Sequence, residues 1–156
     1  MSRTLSIAAI AAAGAALSGC ASNAAPVSGY AWSYQQIEGE GEKLAYGAPN
    51  SDDVVMMMTC EPGSGRVIMS ALVDQMRDQL VLASGGEQRA YPAIGGTSEL
   101  DGGAVVEAEG LVDRPVLDRF ARTGELAMLT GRERVSLAAR GEERTSIGRF
   151  FERCQA

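Results

Sequence analysis

From residue 53 to residue 73 the chain reads DVVMMMTCEPGSGRVIMSALV, and this segment sets the fold class. Residues 53–60 form the most hydrophobic run outside the N-terminal twenty residues, and residues 66–73 are again apolar. The residues between them include Pro62, Gly63 and Gly65, which are typical of turns. Two apolar runs joined by a short Gly-rich turn predict an antiparallel β-hairpin.

Further strands are predicted on both sides of this hairpin. Each is a short run of alternating or continuous apolar residues bounded by Gly, Pro, Asn or Asp. These runs cover residues 30–35, 43–46, 79–84, 88–91, 104–109, 126–130 and 134–139. We therefore expect a mainly β, α+β fold: an antiparallel sheet or small sandwich of about eight short strands, with two helices late in the chain.

The two helices are predicted from their end signals and their apolar spacing. For the first, Asp113 is expected as the N-cap, Pro115 lies in the first turn and Gly124 ends the helix. The second covers about residues 142–153. Its apolar residues share one face at helical spacing and are Ile147, Phe150, Phe151 and Cys154. This face predicts that the C-terminal helix packs on the sheet.

The three cysteines of the chain are Cys20, Cys60 and Cys154. If Cys20 is modified, as argued below, two thiols remain in an oxidising compartment, and they predict one disulfide. Cys154 lies on the apolar face of the last helix, from which it can reach the end of the strand that carries Cys60. The alternative is two separate buried thiols.

Charge is spread unevenly along the chain. The net charge of −6 argues against a general nucleic-acid binder, which needs a basic surface. Residues 21–110 contain four basic and thirteen acidic residues, whereas residues 111–156 contain nine Arg and seven acidic residues. Either the fold presents a bipolar surface to a partner, or the two halves neutralise each other within one domain.

Tyr30, Trp32 and Tyr34 are the predicted partner-binding residues. They alternate with smaller residues and therefore share one face of a strand. Exposed aromatic side chains anchor protein partners or stack on sugars. Packing within the sheet is nevertheless the favoured interpretation of the same stripe.

No cofactor, metal site or catalytic residue is predicted. Thioether and thiolate groups suit copper(I), but methionine is also a common core residue and the chain has no His. Glu38, Glu40 and Glu42 are expected in a solvated acidic loop rather than in a calcium site. Without His, Ser–His and Cys–His nucleophile pairs are excluded. Core packing is favoured for Met56, Met57, Met58, Cys60, Met69 and Met76.

The N-terminal twenty residues have the parts of an export signal. Arg3 supplies a positive charge, residues 5–17 form a short apolar run, and small residues precede Cys20. Leu17, Ser18, Gly19 and Cys20 resemble the lipobox of bacterial lipoproteins. The resemblance implies cleavage before Cys20 and a diacylglyceryl group on its thiol. The alternative is an ordinary secretory signal with a cysteine by chance.

This resemblance sets the expected organisation of the chain. Residues 1–19 are a lipoprotein signal peptide, residues 20–29 are the lipidated cysteine and a flexible tether, and residues 30–156 are one β-rich domain. Ala21 follows the cysteine, and in lipoproteins of this kind the absence of Asp there favours the outer membrane, with the domain facing the periplasm.

The region after the tether is similar to small β-rich periplasmic proteins of Gram-negative bacteria. The similarity is carried by residues 44–47, 49–53 and 150–154 together with Cys60, and it implies a fold without supplying an activity or site residues. We therefore expect a membrane-anchored, non-catalytic binding or structural domain with an envelope protein as partner. The alternatives are a small-ligand or copper-binding lipoprotein and, less favoured, a small hydrolase.

Overall fold

Nine antiparallel strands and two α-helices make up the part of the chain that the computed structural model describes, residues 25–97 and 103–156. The elements are β1 (Ala31–Ile37), β2 (Gly41–Gly47), β3 (Val54–Cys60), β4 (Arg66–Val73), β5 (Gln79–Ser84), β6 (Glu87–Thr97), β7 (Ala104–Leu111), α1 (Pro115–Thr123), β8 (Ala127–Thr130), β9 (Glu133–Ser136), a 3₁₀ turn (Gly141–Glu143) and α2 (Arg144–Gln155). The strands form one sheet in the order β1-β2-β3-β4-β7-β6-β5-β8-β9. The predicted mainly β class is confirmed. The nine strands agree with the expected count of about eight, and each strand overlaps one run predicted from the sequence.

The predicted hairpin of residues 53–73 is present as β3 and β4. The two strands pair with Met58 opposite Met69. Alternate residues of both strands, including Met56 and Val67, face the core and are fully buried. Because side chains alternate between the two faces of a strand, Met57 lies on the opposite face from Met56 and Met58.

Strand β6 joins two parts of the sheet, which therefore curves into a half-barrel. Residues 87–92 of β6 pair with β5, and residues 93–97 pair with β7. Pro92 lies at the change of partner, where its missing N–H costs least. The curved sheet encloses the core on its inner face, so a single bent sheet takes the place of the predicted alternative, a sandwich.

Helix α1 starts one residue later than its sequence signals predict. Arg114, not Asp113, is the N-cap residue, and Pro115 occupies the first helical position. Proline holds the residue before it in an extended conformation, so the helix cannot begin earlier. Asp113 instead approaches the Arg114 guanidinium at 3.8 Å. The predicted end is confirmed, because Gly124 adopts a left-handed φ of 72°.

Helix α2 buries the predicted apolar face, which consists of Ile147, Phe150, Phe151 and Cys154. Aromatic contacts connect this face to the rest of the core. The ring centroids of Phe150 and Phe151 lie 5.2 Å apart, and that of Phe151 lies 5.8 Å from Phe120 of α1. In residues 25–97 and 103–156, no helix has the length and apolar character that a membrane span requires.

Candidate functional site

The aromatic stripe of Tyr30, Trp32 and Tyr34 faces the core, which confirms the favoured interpretation of sheet packing and corrects the stripe as a candidate partner-binding surface. Trp32 is 5% exposed, and its ring lies 5.0 Å from that of Phe120. Tyr30 and Tyr34 are half-buried against the same core. The alternation was read correctly from the sequence, but the curved sheet turns this face inward.

Trp32 also connects β1, the first strand in the sheet order, with the segment that follows β9, the last. Its indole N–H donates a hydrogen bond of 2.7 Å to the carbonyl of Leu137, directly after β9. A buried indole N–H needs such a partner, since an unpaired one costs free energy. Trp32 therefore contributes to the architecture of the half-barrel and is unavailable as an anchor for a partner.

Most sulfur-containing residues of the candidate copper site belong to the core, but Met76 is 47% exposed, which corrects the prediction that it packs there. Met56, Met58 and Met69 are fully buried, and Cys60 forms a disulfide with Cys154. The disulfide agrees with the pairing predicted from the sequence, and its sulfurs are not free to act as thiolate ligands. Within the described residues, no group of three or more His, Cys, Asp or Glu is placed to hold a metal ion.

Glu42 is the least expected of the polar residues, because it is 2% exposed rather than part of a solvated loop. It lies on β2 directly opposite Gln36 on one side and Cys60 on the other. Its carboxylate accepts hydrogen bonds from the Tyr34 hydroxyl at 2.5 Å and the Gln36 amide at 3.1 Å. The Arg153 guanidinium donates a third, also at 3.1 Å.

The surroundings of Glu42 keep its carboxyl ionised. Burial raises the pKa of this carboxyl, but the hydrogen bonds from Tyr34, Gln36 and Arg153 outweigh that effect and hold the pKa below its usual value. Burial and the hydrogen bond to Glu42 also raise the pKa of the Tyr34 hydroxyl to about 12. Tyr34 therefore stays protonated and remains a hydrogen-bond donor at neutral pH.

The polar cluster around Glu42 holds the C-terminal end of the chain in place. Beside it, the backbone N–H groups of Gly63 and Gly65 donate to the carbonyls of Arg153 and Cys154 at 3.0 and 2.8 Å. A Cβ atom at Gly63 would lie 2.3 Å from the Ala156 carbonyl oxygen, so only glycine fits there. Glu42 thus serves packing and orientation, with its acceptor positions occupied by its own chain.

The outer face of the sheet carries an apolar patch that sequence analysis missed. Ile68, Ile94 and Val105 are 43%, 76% and 45% exposed, and they lie on the neighbouring strands β4, β6 and β7. Val105 pairs directly with Leu72, and Ile94 pairs with Glu107, the next outward residue of β7. We call Ile68, Leu72, Ile94 and Val105 the outer patch. Exposed apolar side chains grouped on one sheet face in this way are candidates for an interaction surface.

Few ion pairs connect the two differently charged halves of the chain, residues 21–110 and 111–156. Among residues 25–97 and 103–156 there are five ion pairs, and Glu42–Arg153 is the one that joins the two halves. The other four lie within one half, as Arg66–Glu109 and Arg140–Glu143 do. Direct pairing between the halves is therefore confined, in this part of the chain, to the buried Glu42 carboxylate.

The segment that precedes β1 is hydrogen-bonded to the rest of the domain. The Ala25 carbonyl accepts a hydrogen bond of 2.5 Å from the Ser136 hydroxyl, and the Val27 carbonyl accepts one of 3.4 Å from Arg140. Tyr30 then donates to Asp53 at 2.7 Å. Residues 25–29 of the predicted flexible tether are therefore held on the surface of the domain.

The signal peptide and the residues of the lipobox, Leu17, Ser18, Gly19 and Cys20, lie outside the described residues. Comparison of the chain with protein families, with curated proteins and with solved structures gives no match. The arguments for function therefore come from the residues of this chain alone.

Proposed function

We propose that this chain is a membrane-anchored lipoprotein of the cell envelope, whose domain faces the periplasm and acts as a non-catalytic binding domain. The observation that carries the proposal is the disulfide between Cys60 and Cys154. Structural disulfides form and persist in oxidising compartments outside the cytoplasm. This bond leaves Cys20 as the one remaining cysteine, at the end of the segment that resembles a lipobox.

Lipidation of Cys20 would anchor the domain stably. One acyl chain gives only marginal membrane binding, whereas two or three give lasting attachment. Ala21 after the cysteine favours the outer membrane. Anchoring also raises the effective concentration of the domain for a partner on the same membrane.

The outer patch supports an envelope protein as that partner. Its apolar side chains lie on three adjacent strands and have no covering element among the described residues. On the central strand β7, Glu107 lies opposite Ile94 and Glu109 lies opposite Ile68, so acidic side chains alternate with the apolar ones. Protein interfaces that are not obligate commonly combine apolar and polar groups.

Metabolic labelling with a palmitate analogue tests the anchor. The native chain should carry the label and fractionate with membranes, and a Cys20→Ala variant should lose both properties. An unlabelled native chain in the soluble periplasmic fraction would overturn the lipoprotein proposal.

Site-specific photocrosslinking in living cells tests the binding surface. A photoreactive residue at Ile94 should give a discrete crosslinked product that mass spectrometry identifies. The matched control is Gln35, an exposed residue on β1, which lies five strands away from β6 along the sheet. Equal crosslinking from both positions, or none from Ile94, would contradict the outer patch as the binding surface.

A further inference from the structure

We propose that the domain rests on the membrane through one defined face, formed by Arg134, Ser136, Arg140 and Arg144, and that these arginines contact anionic lipid headgroups. We call these four residues the exit face. The inference deepens the proposed function and rests on lipidation of Cys20. It specifies which surface meets the membrane and which lipids that surface prefers.

The position where the chain leaves the domain defines this face. Ala25 is hydrogen-bonded to Ser136 of β9, and Val27 to Arg140 just before the 3₁₀ turn. Arg134 lies two residues before Ser136 and therefore on the same face of β9. Arg144 follows Arg140 by four residues, at the first position of α2.

The distance to the lipid anchor is short. Cys20 and Ala25 are five residues apart, which gives a reach of at most about 18 Å whatever conformation the chain adopts. A domain of this length is about 36 Å across by the usual scaling of size with chain length. The anchor is therefore at most about half a domain diameter from Ala25, and the opposite side of the domain cannot reach the lipid.

The charge of the exit face suits an anionic surface. Arg134 and Arg144 are exposed, and neither makes an ion pair with any residue that the structure describes. Arg140 is partly exposed beside the buried Glu143. Arginine binds phosphate groups through its planar set of N–H donors, and basic residues next to a membrane anchor are attracted to anionic lipids.

The net charge of the chain acts in the same direction. Residues 21–110 carry thirteen acidic and four basic residues, so an anionic surface repels most of the molecule and attracts the positions where exposed arginines meet it. Tether geometry and the arginines of the exit face thus select the same side of the domain.

The test places the full lipidated protein in vesicles of phosphatidylcholine, with or without phosphatidylglycerol, that contain a headgroup-located fluorescence quencher. A fluorophore is attached either at position 132, in the β8–β9 turn beside the exit face, or at position 94, in the outer patch. With phosphatidylglycerol present, we expect quenching at position 132 to exceed quenching at position 94 at least twofold. The difference should shrink in pure phosphatidylcholine.

An Arg134→Gln/Arg144→Gln variant should lose the preference for phosphatidylglycerol. The matched control is Arg66→Gln/Arg89→Gln, which removes the same charge from exposed positions elsewhere and should keep the preference. Equal quenching at positions 132 and 94 in labelled, vesicle-bound protein would overturn the inference and leave the lipoprotein proposal intact. Protein that carries no lipid would instead overturn the proposed function on which this inference rests.

Discussion

The two ends of helix α2 are anchored by the same pair of residue types but in different ways. At the C-terminal end, Arg153 is paired at 3.1 Å with the buried Glu42, which is 111 residues away in sequence. At the N-terminal end, Arg140 is paired at 3.3 Å with the buried Glu143, three residues away. The C-terminal end also has the disulfide of Cys154 to Cys60.

The comparison shows that a pair close in sequence orders a turn, whereas contacts distant in sequence constrain the whole fold. The Arg140–Glu143 pair fixes a local turn, and only a few residues must be ordered to form it. The Cys154 and Arg153 contacts connect α2 to β2 and β3 across most of the domain, so they restrict a large set of unfolded conformations. We therefore expect changes at the C-terminal end to cost much more stability than changes at the N-terminal end.

Removing the disulfide should have the largest effect. A Cys60→Ala/Cys154→Ala variant should lose about 4–5 kcal/mol of unfolding free energy, because the bond closes a loop of nearly a hundred residues. Urea unfolding followed by tryptophan fluorescence measures the loss. The native chain in reductant should give the same curve as the variant, and a loss below about 1 kcal/mol would contradict a large constraint of the unfolded state.

Removing the Glu42 carboxylate should rank second. Glu42→Ala leaves the Tyr34 hydroxyl and Arg153 without their acceptor, and we expect a loss of about 2–3 kcal/mol by urea unfolding. The matched control is Glu107→Ala, an exposed residue of β7, which should change stability by less than about 0.5 kcal/mol. Similar losses for both variants would show that the buried cluster adds nothing.

The pH dependence of stability should identify the same carboxyl. The pKa of Glu42 in the folded chain is lower than the ordinary value of 4.5. Its contribution is therefore fully present above pH 4.5 and is lost as the pH falls through the folded pKa. A Glu42→Gln variant should have a flatter stability profile in this acidic window. A profile as steep as that of the native chain would assign the acid sensitivity to other carboxyls.

The N-terminal end of α2 should respond less. Glu143 accepts a hydrogen bond from the backbone N–H of Arg140 at 2.9 Å, as in a capping box. Glu143→Ala should cost about 1 kcal/mol by urea unfolding, the usual value of a helix cap. Its exposed neighbour Glu142 provides the control, since Glu142→Ala should be nearly neutral. A loss equal to that of Glu42→Ala would remove the contrast between the two ends.

The smallest change is expected at Ser136. Ser136→Ala should alter global stability by less than about 0.5 kcal/mol, because its hydrogen bond to Ala25 lies at the surface. Hydrogen exchange in the peptide that covers residues 25–30 should nevertheless accelerate several-fold. Ser33→Ala on β1 should leave that exchange rate unchanged. Unchanged exchange in the Ser136 variant would show that Ser136 does not hold the N-terminal segment.

Local patterns explain why much of the fold could be predicted from the sequence. The Gly-rich turn at residues 61–65 specifies the β3–β4 hairpin, and the spacing of Phe150, Phe151 and Cys154 specifies the buried face of α2. The count of cysteines indicated the disulfide. In each case the signal lies within a few residues or in the composition.

Other features could not be predicted because their cause is distant in the sequence. Glu42 follows an alternation of Glu and Gly that is typical of a solvated loop, and its burial depends on Arg153 at the other end of the chain. Trp32 is turned inward by the curvature of the sheet and bonded to Leu137, 105 residues away. The outer patch requires the strand order β4-β7-β6, which no local pattern contains.

The disulfide also makes a covalent ring of the chain from Cys60 to Cys154, a separation of 94 residues. If a protease cuts the backbone once inside this ring, the two fragments remain one molecule, because the disulfide still joins them. The nick becomes visible on a gel only after reduction. A first cut between these two cysteines would therefore not release the C-terminal part of the domain from the rest of the chain.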